Sequence, residues 1–151
     1  MRRAAMSASA DSIRIRIAQP KEREELEALQ WRASLANEED RPHLEANPDA
    51  VELPAEQVES GQVIVAELGG RIAGFAAVLG GELDGLFVEP DLWRRGVGKA
   101  LVDAAILLAR RRGLTLSVTA NKAAIGFYER CGFTVEGETQ TRFGPAPRLT
   151  R

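Results

Sequence analysis

The sequence predicts an α/β (α+β) fold, a mixed, mostly antiparallel sheet of about six to seven strands flanked by about four helices. Three observations carry this reading. Ile13, Ile15 and Ile17 alternate with Arg14 and Arg16, the two-residue period of a half-buried strand. Gly69-Gly70 separates two apolar runs, 63–68 and 71–79, and supplies the positive φ angles that a two-residue hairpin turn needs. Residues 82–118 then read strand, helix, strand, and a crossover through a helix makes its two strands parallel.

The remaining elements follow in chain order. Pro20 starts a helix in which Leu26, Leu29 and Ala33 fall at helical spacing. Residues 37–47, with Pro42 and His43, read as a loop, and 48–60 as a second short helix. A strand over 82–88 stops before Pro90. The helix over 96–112 buries Val97, Leu101, Ala104, Ala105 and Leu108, and it ends where Arg110, Arg111 and Arg112 complement the dipole ahead of Gly113. A strand over 114–118 precedes Asn121, which caps a short helix ended by Gly132. Closing strands cover 133–136 and about 141–149, the latter placed at an edge by Pro145 and Pro147. Residues 1–12 read as a disordered leader and 13–151 as one domain.

Composition narrows the function. The 151 residues are 44% hydrophobic, long enough to bury a core, and no apolar run of about eighteen residues exists. The start has two arginines but no apolar centre of a signal peptide, so a cytoplasmic protein is expected. One cysteine, Cys131, excludes an internal disulfide and, with one histidine, a Cys/His zinc site. A net charge of −2 leaves no general nucleic-acid footprint. Yet residues 21–60 hold twelve acids against four Lys or Arg, while 94–112 hold six Lys or Arg against Asp103. The acidic stretch reads either as solvated helix faces or as a field that draws in a cationic amine.

The chemistry concentrates between 86 and 133. Arg94, Arg95, Gly96, Val97 and Gly98 open a helix whose first N–H groups lack partners and carry partial positive charge, which favours a phosphate. The glycines let a ligand approach the backbone, and Arg94, Arg95 and Lys99 add charge. A P-loop would need Gly at 93 and Ser or Thr at 100, where Trp93 and Ala100 stand. A dinucleotide fingerprint would need a small residue at 101 and an acid about twenty residues on, where Leu101 and an apolar strand stand.

What remains resembles the GCN5-related N-acetyltransferase (GNAT) family, whose acetyl-CoA loop reads Arg/Gln-x-x-Gly-x-Gly/Ala. Gly96 and Gly98 match its glycines, and Arg95 the basic residue before them, whereas the leading position holds Trp93. Asn121, Phe127-Tyr128 and Gly132-Phe133 match the second half of the signature. The resemblance implies a central parallel pair that splays around acetyl-CoA, the acyl-donor substrate. It also implies a binding set of Leu86, Phe87, Val88, Arg94, Arg95, Gly96, Val97, Gly98, Lys99, Ala100, Asn121, Phe127 and Tyr128. It places the Tyr128 hydroxyl as general acid and the Val88 N–H beside the thioester oxygen. Glu82 and Asp84, two apart on one strand and so on the face of Leu86 and Val88, supply either the base or solvent-facing charges. Cys131 reads as an inert packed thiol rather than an acylated nucleophile; His43 reads as a surface residue of a loop that the resemblance sets beside the acceptor site, and Trp31 as helix core, which the resemblance also allows as substrate wall.

The expected activity is therefore direct acetyl transfer to a primary amine of a small molecule or peptide, with no metal, no nucleic acid and no membrane, and with a homodimer left open. The alternative is a non-catalytic acyl-CoA-binding or sensory module, which would need neither Tyr128 nor the Glu82/Asp84 pair. A generic α/β nucleotide binder is disfavoured by the two failed loop patterns.

Overall fold

The computed structural model describes residues 12–151; the leader expected over 1–12 lies outside these but for Ser12. Seven strands form one sheet: β1 (Ile13–Ile17), β2 (Val63–Leu68), β3 (Arg71–Leu79), β4 (Glu82–Val88), β5 (Ser117–Thr119), β6 (Thr134–Thr141) and β7 (Gly144–Thr150). Their spatial order is β1-β2-β3-β4-β5-β7-β6. Every neighbouring pair is antiparallel except β4 and β5, the pair joined by the helical crossover. Five α-helices flank the sheet: α1 (Arg23–Leu35), α2 (Arg41–Ala46), α3 (Ala55–Glu59), α4 (Val97–Arg111) and α5 (Ile125–Arg130). None of them is long and apolar enough to cross a membrane.

Two cores lie on the two faces of the sheet. On one, α4 packs Val97, Leu101, Val102, Ala105, Ile106 and Ala109 against β2–β5. The predicted stripe held Ala104 and Leu108, which are only half-buried. The buried face is wider and turned by about one position, because the helix lies across several strands rather than against one. On the other face Leu26, Leu29 and Ala33 of α1 close over Val63, Val65, Phe75 and Ala77, as their spacing predicts.

Other expectations needed correction. The loop over 37–47 contains α2, since Pro42 stands in the first turn, where a missing N–H removes no helical bond. The helix over 48–60 shrinks to a 3-10 turn at Pro48–Ala50 and to α3. In β1, Ile13 packs against the α4 core but Ile17 is 49% exposed, and the arginine predicted to face water, Arg16, is bound by Glu22 and Glu67. The prolines did not send β7 to an edge. It lies between β5 and β6, but β5 pairs only with residues 148–150, leaving the flank at Pro145 and Pro147 without a strand. The Pro147 carbonyl points to that flank, where it accepts from Ala120 N–H, and the donor that proline lacks is not needed there.

Candidate active site

β4 and β5 pair only at Glu82/Ser117 and Leu83/Val118, and they diverge beyond this point. A cleft of about 730 Å³ opens in the gap. It is bounded by the end of β4, the start of α4, the segment around Asn121 and α5, and the end of α1.

The β4 wall follows from a register shift. Ala77 pairs with Gly85 and Val78 with Leu83, so Asp84 is an extra residue. The bulge reverses the alternation of side chains. Leu83, Leu86 and Val88 all face the α4 core, while Phe87 crosses to pack against Phe75 in the other core. Glu82 and Asp84 therefore do not share the face of Leu86 and Val88, as simple alternation would have it, and neither lines the cleft. Glu82 accepts two bonds from Arg148, at 2.7 and 2.8 Å, tying β4 to β7. Asp84 is exposed, and its carboxyl is pushed upward by partial desolvation and then by the charge of Glu82.

Backbone groups of Val88 face the gap. Glu89 N–H donates to Ala73 on β3 at 2.8 Å, so by the alternation of an antiparallel ladder the N–H and carbonyl of Val88 point the other way. The carbonyl accepts from Trp93 Nε1 at 2.9 Å, a bond that the leading motif position makes here with an indole 47% exposed. Glu89 itself is 8% exposed and is held by Arg32 of α1 through bonds of 3.1 and 2.6 Å, which anchors α1 to the strand end just before the loop.

The backbone of the loop is set by two left-handed residues. Arg94 takes φ +67° and Gly96 φ +83°, and the left-handed Gly96 leads directly into α4. A left-handed residue followed by right-handed ones turns successive N–H groups toward one point. No side chain caps the helix, and among the described residues the N–H groups of Gly96, Val97, Gly98 and Lys99 find no acceptor. The N–H of Ala100 is already bonded to the Gly96 carbonyl. Arg94, Lys99 and Arg130 put three positive charges on the cleft, although Lys99 also pairs with Asp103 at 2.9 Å. Gly98 serves the inner wall, since a Cβ there would stand 3.3 Å from the Phe127 ring.

Asn121 Oδ1 accepts from Ala124 N–H at 3.0 Å, the expected cap, and its Nδ2 donates to Asp40 at 3.2 Å. Tyr128 is buried between Phe127 and Phe133, whose rings meet it edge-on at 5.0 and 5.4 Å. It still lines the cleft, and its hydroxyl has no hydrogen-bond partner among the described residues. Burial raises its pKa well above the usual tyrosine range, with the nearby Cys131 thiol adding to the shift, so the phenol holds its proton at neutral pH. Cys131 is itself raised, chiefly by desolvation.

Of the predicted binding set, Arg95 and Ala100 fall outside the cleft lining and the rest lie on it. Sequence reasoning missed the contribution of α1 and the segment after it, Ala33, Ser34, Ala36, Asn37 and Asp40. The signals near Asp40 were the excess of acids over 21–60 and the loop of His43, which the resemblance set beside the acceptor site. His43 is exposed and stacks on Phe143 at 4.9 Å, and Trp31 is half-buried on α1.

The model of the Acetyltransferase (GNAT) family matches residues 23–133. Peptidyl-lysine N-acetyltransferase YjaB of Salmonella typhimurium is 43% identical over 68 residues, covering 44% of this chain and 46% of that protein. The chain thus spans under half the length of that curated relative. The solution structure of apo-form YjaB from Escherichia coli superposes with a TM-score of 0.68 at 29% identity, covering 92% of this chain and 97% of the other. PaiA N-acetyltransferase from Thermoplasma acidophilum, crystallised in complex with coenzyme A, has the same fold at 20% identity, with a TM-score of 0.67 over 91% of this chain and 98% of its own.

Proposed function

Since the chain belongs to the acetyltransferase (GNAT) family, we propose that it is an acetyl-CoA-dependent N-acetyltransferase that passes acetyl directly to a primary amine of a small molecule or peptide. The observation that carries this is the meeting of two features in one cleft, the unpartnered N–H groups at the start of α4 and the unpartnered hydroxyl of Tyr128. The first fits a pyrophosphate. The second fits a leaving thiolate that needs a proton, which a binding module would not. The relative named for peptidyl-lysine supports a primary amine as acceptor.

In this reading the loop anchors the donor while the Val88 N–H, facing the gap, stabilises the carbonyl oxygen as charge develops on it. The amine loses one proton before attack, and its lone pair then forms the N–C bond to the acetyl carbon. The C–S bond breaks, sulfur takes the Tyr128 proton, and the second amine proton returns to the phenolate through solvent. One proton leaves per turnover. Glu82, occupied by Arg148, is better suited to holding β4 against β7 than to taking that proton.

Calorimetry with acetyl-CoA, followed by a screen of amines and peptides for release of the CoA thiol, tests the proposal. Saturable binding with release by at least one amine is expected, and binding without release by any of them would leave only the binding-module alternative. Initial-rate plots should intersect and Cys131→Ala should lose no more than a few-fold in activity, because direct transfer stores no acetyl group on the enzyme. Parallel lines with an inactive Cys131→Ala protein would replace direct transfer with an acyl-cysteine route.

A further inference from the structure

The cleft is lined by three cationic side chains and a single acid. Arg94 and Lys99 belong to the start of α4 and Arg130 to α5, whereas Asp40 comes from the segment between α1 and α2. From this polarity we infer that Asp40 forms an ammonium-binding subsite, which receives the acceptor as a cationic primary amine. The inference rests on the acetyl-transfer reading and assigns the residue that receives its primary amine.

Two observations separate Asp40 from other carboxylates. The first is that, among the described residues, Asp40 is the one acid on the cleft lining and stands there without a cation, whereas several acids elsewhere are paired. Glu89 is bound by Arg32, Glu82 by Arg148, Asp49 by Arg142, Asp91 by Arg71 and Asp103 by Lys99. Asp40 lines the cleft half-buried and has no ion-pair partner among the described residues. Its carboxylate accepts from Asn121 Nδ2, and two oxygens offer about four acceptor positions, so capacity for a second donor remains.

The second is that Asn121 is oriented. Its Oδ1 must accept from the backbone N–H of Ala124, and the amide group can present only its NH₂ end to Asp40. That donor holds the carboxylate in place without neutralising it. A carboxylate that is held by a neutral donor and has no cation attracts a positively charged ligand. A protonated amine supplies both the charge and the donors. The same single residue explains why the acidic character of 21–60 matters at the site, although Glu24, Glu25, Glu38 and Glu39 of that stretch are exposed.

The test is a titration of the full-length protein, saturated with CoA, by hexylamine and by its neutral isostere 1-hexanol. Affinity is followed by NMR, and the side-chain amide resonance of Asn121 serves as the local reporter. Hexylamine should bind at least tenfold tighter than 1-hexanol and shift the Asn121 signal saturably. Asp40→Asn should bring the two ligands within about threefold while acetyl-CoA affinity stays within a few-fold of wild type. Equal affinities in the wild-type protein, no saturable hexylamine binding, or a preference that survives Asp40→Asn would each overturn the subsite. If Asp40→Asn fails to fold, the wild-type comparison of the two ligands decides alone. Acetyl-CoA affinity is measured separately, so a protein that does not bind it fails the acetyl-transfer reading by a different readout.

Discussion

The two sides of the cleft are built by different means. One side, from β4 through α4 to α5, which the proposal gives to the acyl donor, is made largely of backbone: N–H groups unpartnered among the described residues, a left-handed glycine and the Val88 amide. The other side, from the end of α1 to Asp40, is held by side chains that reach partners far away in the chain. Asp40 meets Asn121 81 residues on, and Arg32 meets Glu89 57 residues on. The difference teaches that one half of a site can be specified by local geometry while the other exists only through tertiary contact.

The comparison can be sharpened by substitutions on each side. The largest expected effect is at the junction. Tyr128→Phe should lower turnover roughly a hundredfold with acetyl-CoA affinity within a few-fold, because a proton donor is lost and the ring packing is kept. Steady-state kinetics beside calorimetry checks this, and near-normal turnover would return Tyr128 to the core. The same residue has a pH signature. Its folded pKa lies above the unfolded value of 10.0, so its contribution to stability is complete below pH 10 and is lost as pH rises further. Tyr128→Phe should thus flatten the alkaline end of a stability profile measured by urea unfolding.

Next in size is the joint between the halves. Arg32→Leu leaves the Glu89 carboxylate buried without a cation, and it should cost about 2 kcal/mol, below the full buried-pair penalty because Arg32 is itself half-exposed. An unchanged urea midpoint would show that α1 is held by its apolar contacts alone.

On the donor side, Gly98→Val should weaken acetyl-CoA binding at least tenfold. Its Cβ would press on Phe127 and its branches would narrow the approach to the helix start. Undiminished affinity in calorimetry would remove the loop from the site. The smallest effect is expected from Glu82→Gln, which loses the charge that Arg148 binds and should change turnover less than about threefold, with up to about 1 kcal/mol of stability. A turnover loss above a hundredfold would instead make Glu82 the base.

Much of the donor side was legible because its signals are local. Gly96 before a helix, Asn121 three residues before the N–H it caps, and the spacing of Phe127 and Tyr128 all act within one or two turns of chain. The hairpin at Gly69-Gly70 and the parallel pair followed for the same reason. The reading failed where a distant partner sets the outcome. The bulge at Asp84 depends on the register of β3, and it moved Glu82 and Asp84 off the face that alternation assigned them. The place of β7 depended on how short β5 is, not on its own prolines.

By itself, then, the sequence determined the elements with strong local codes, the glycine turn into α4 and the family to which the chain belongs. Turn chemistry, capping and hydrophobic period act over a few residues and need no partner to be read. Tertiary structure alone decided which carboxylate enters the cleft. Twelve acids between 21 and 60 look alike as letters. What distinguishes Asp40 is its place on the cleft lining and a donor 81 residues away, and both depend on how distant segments pack together.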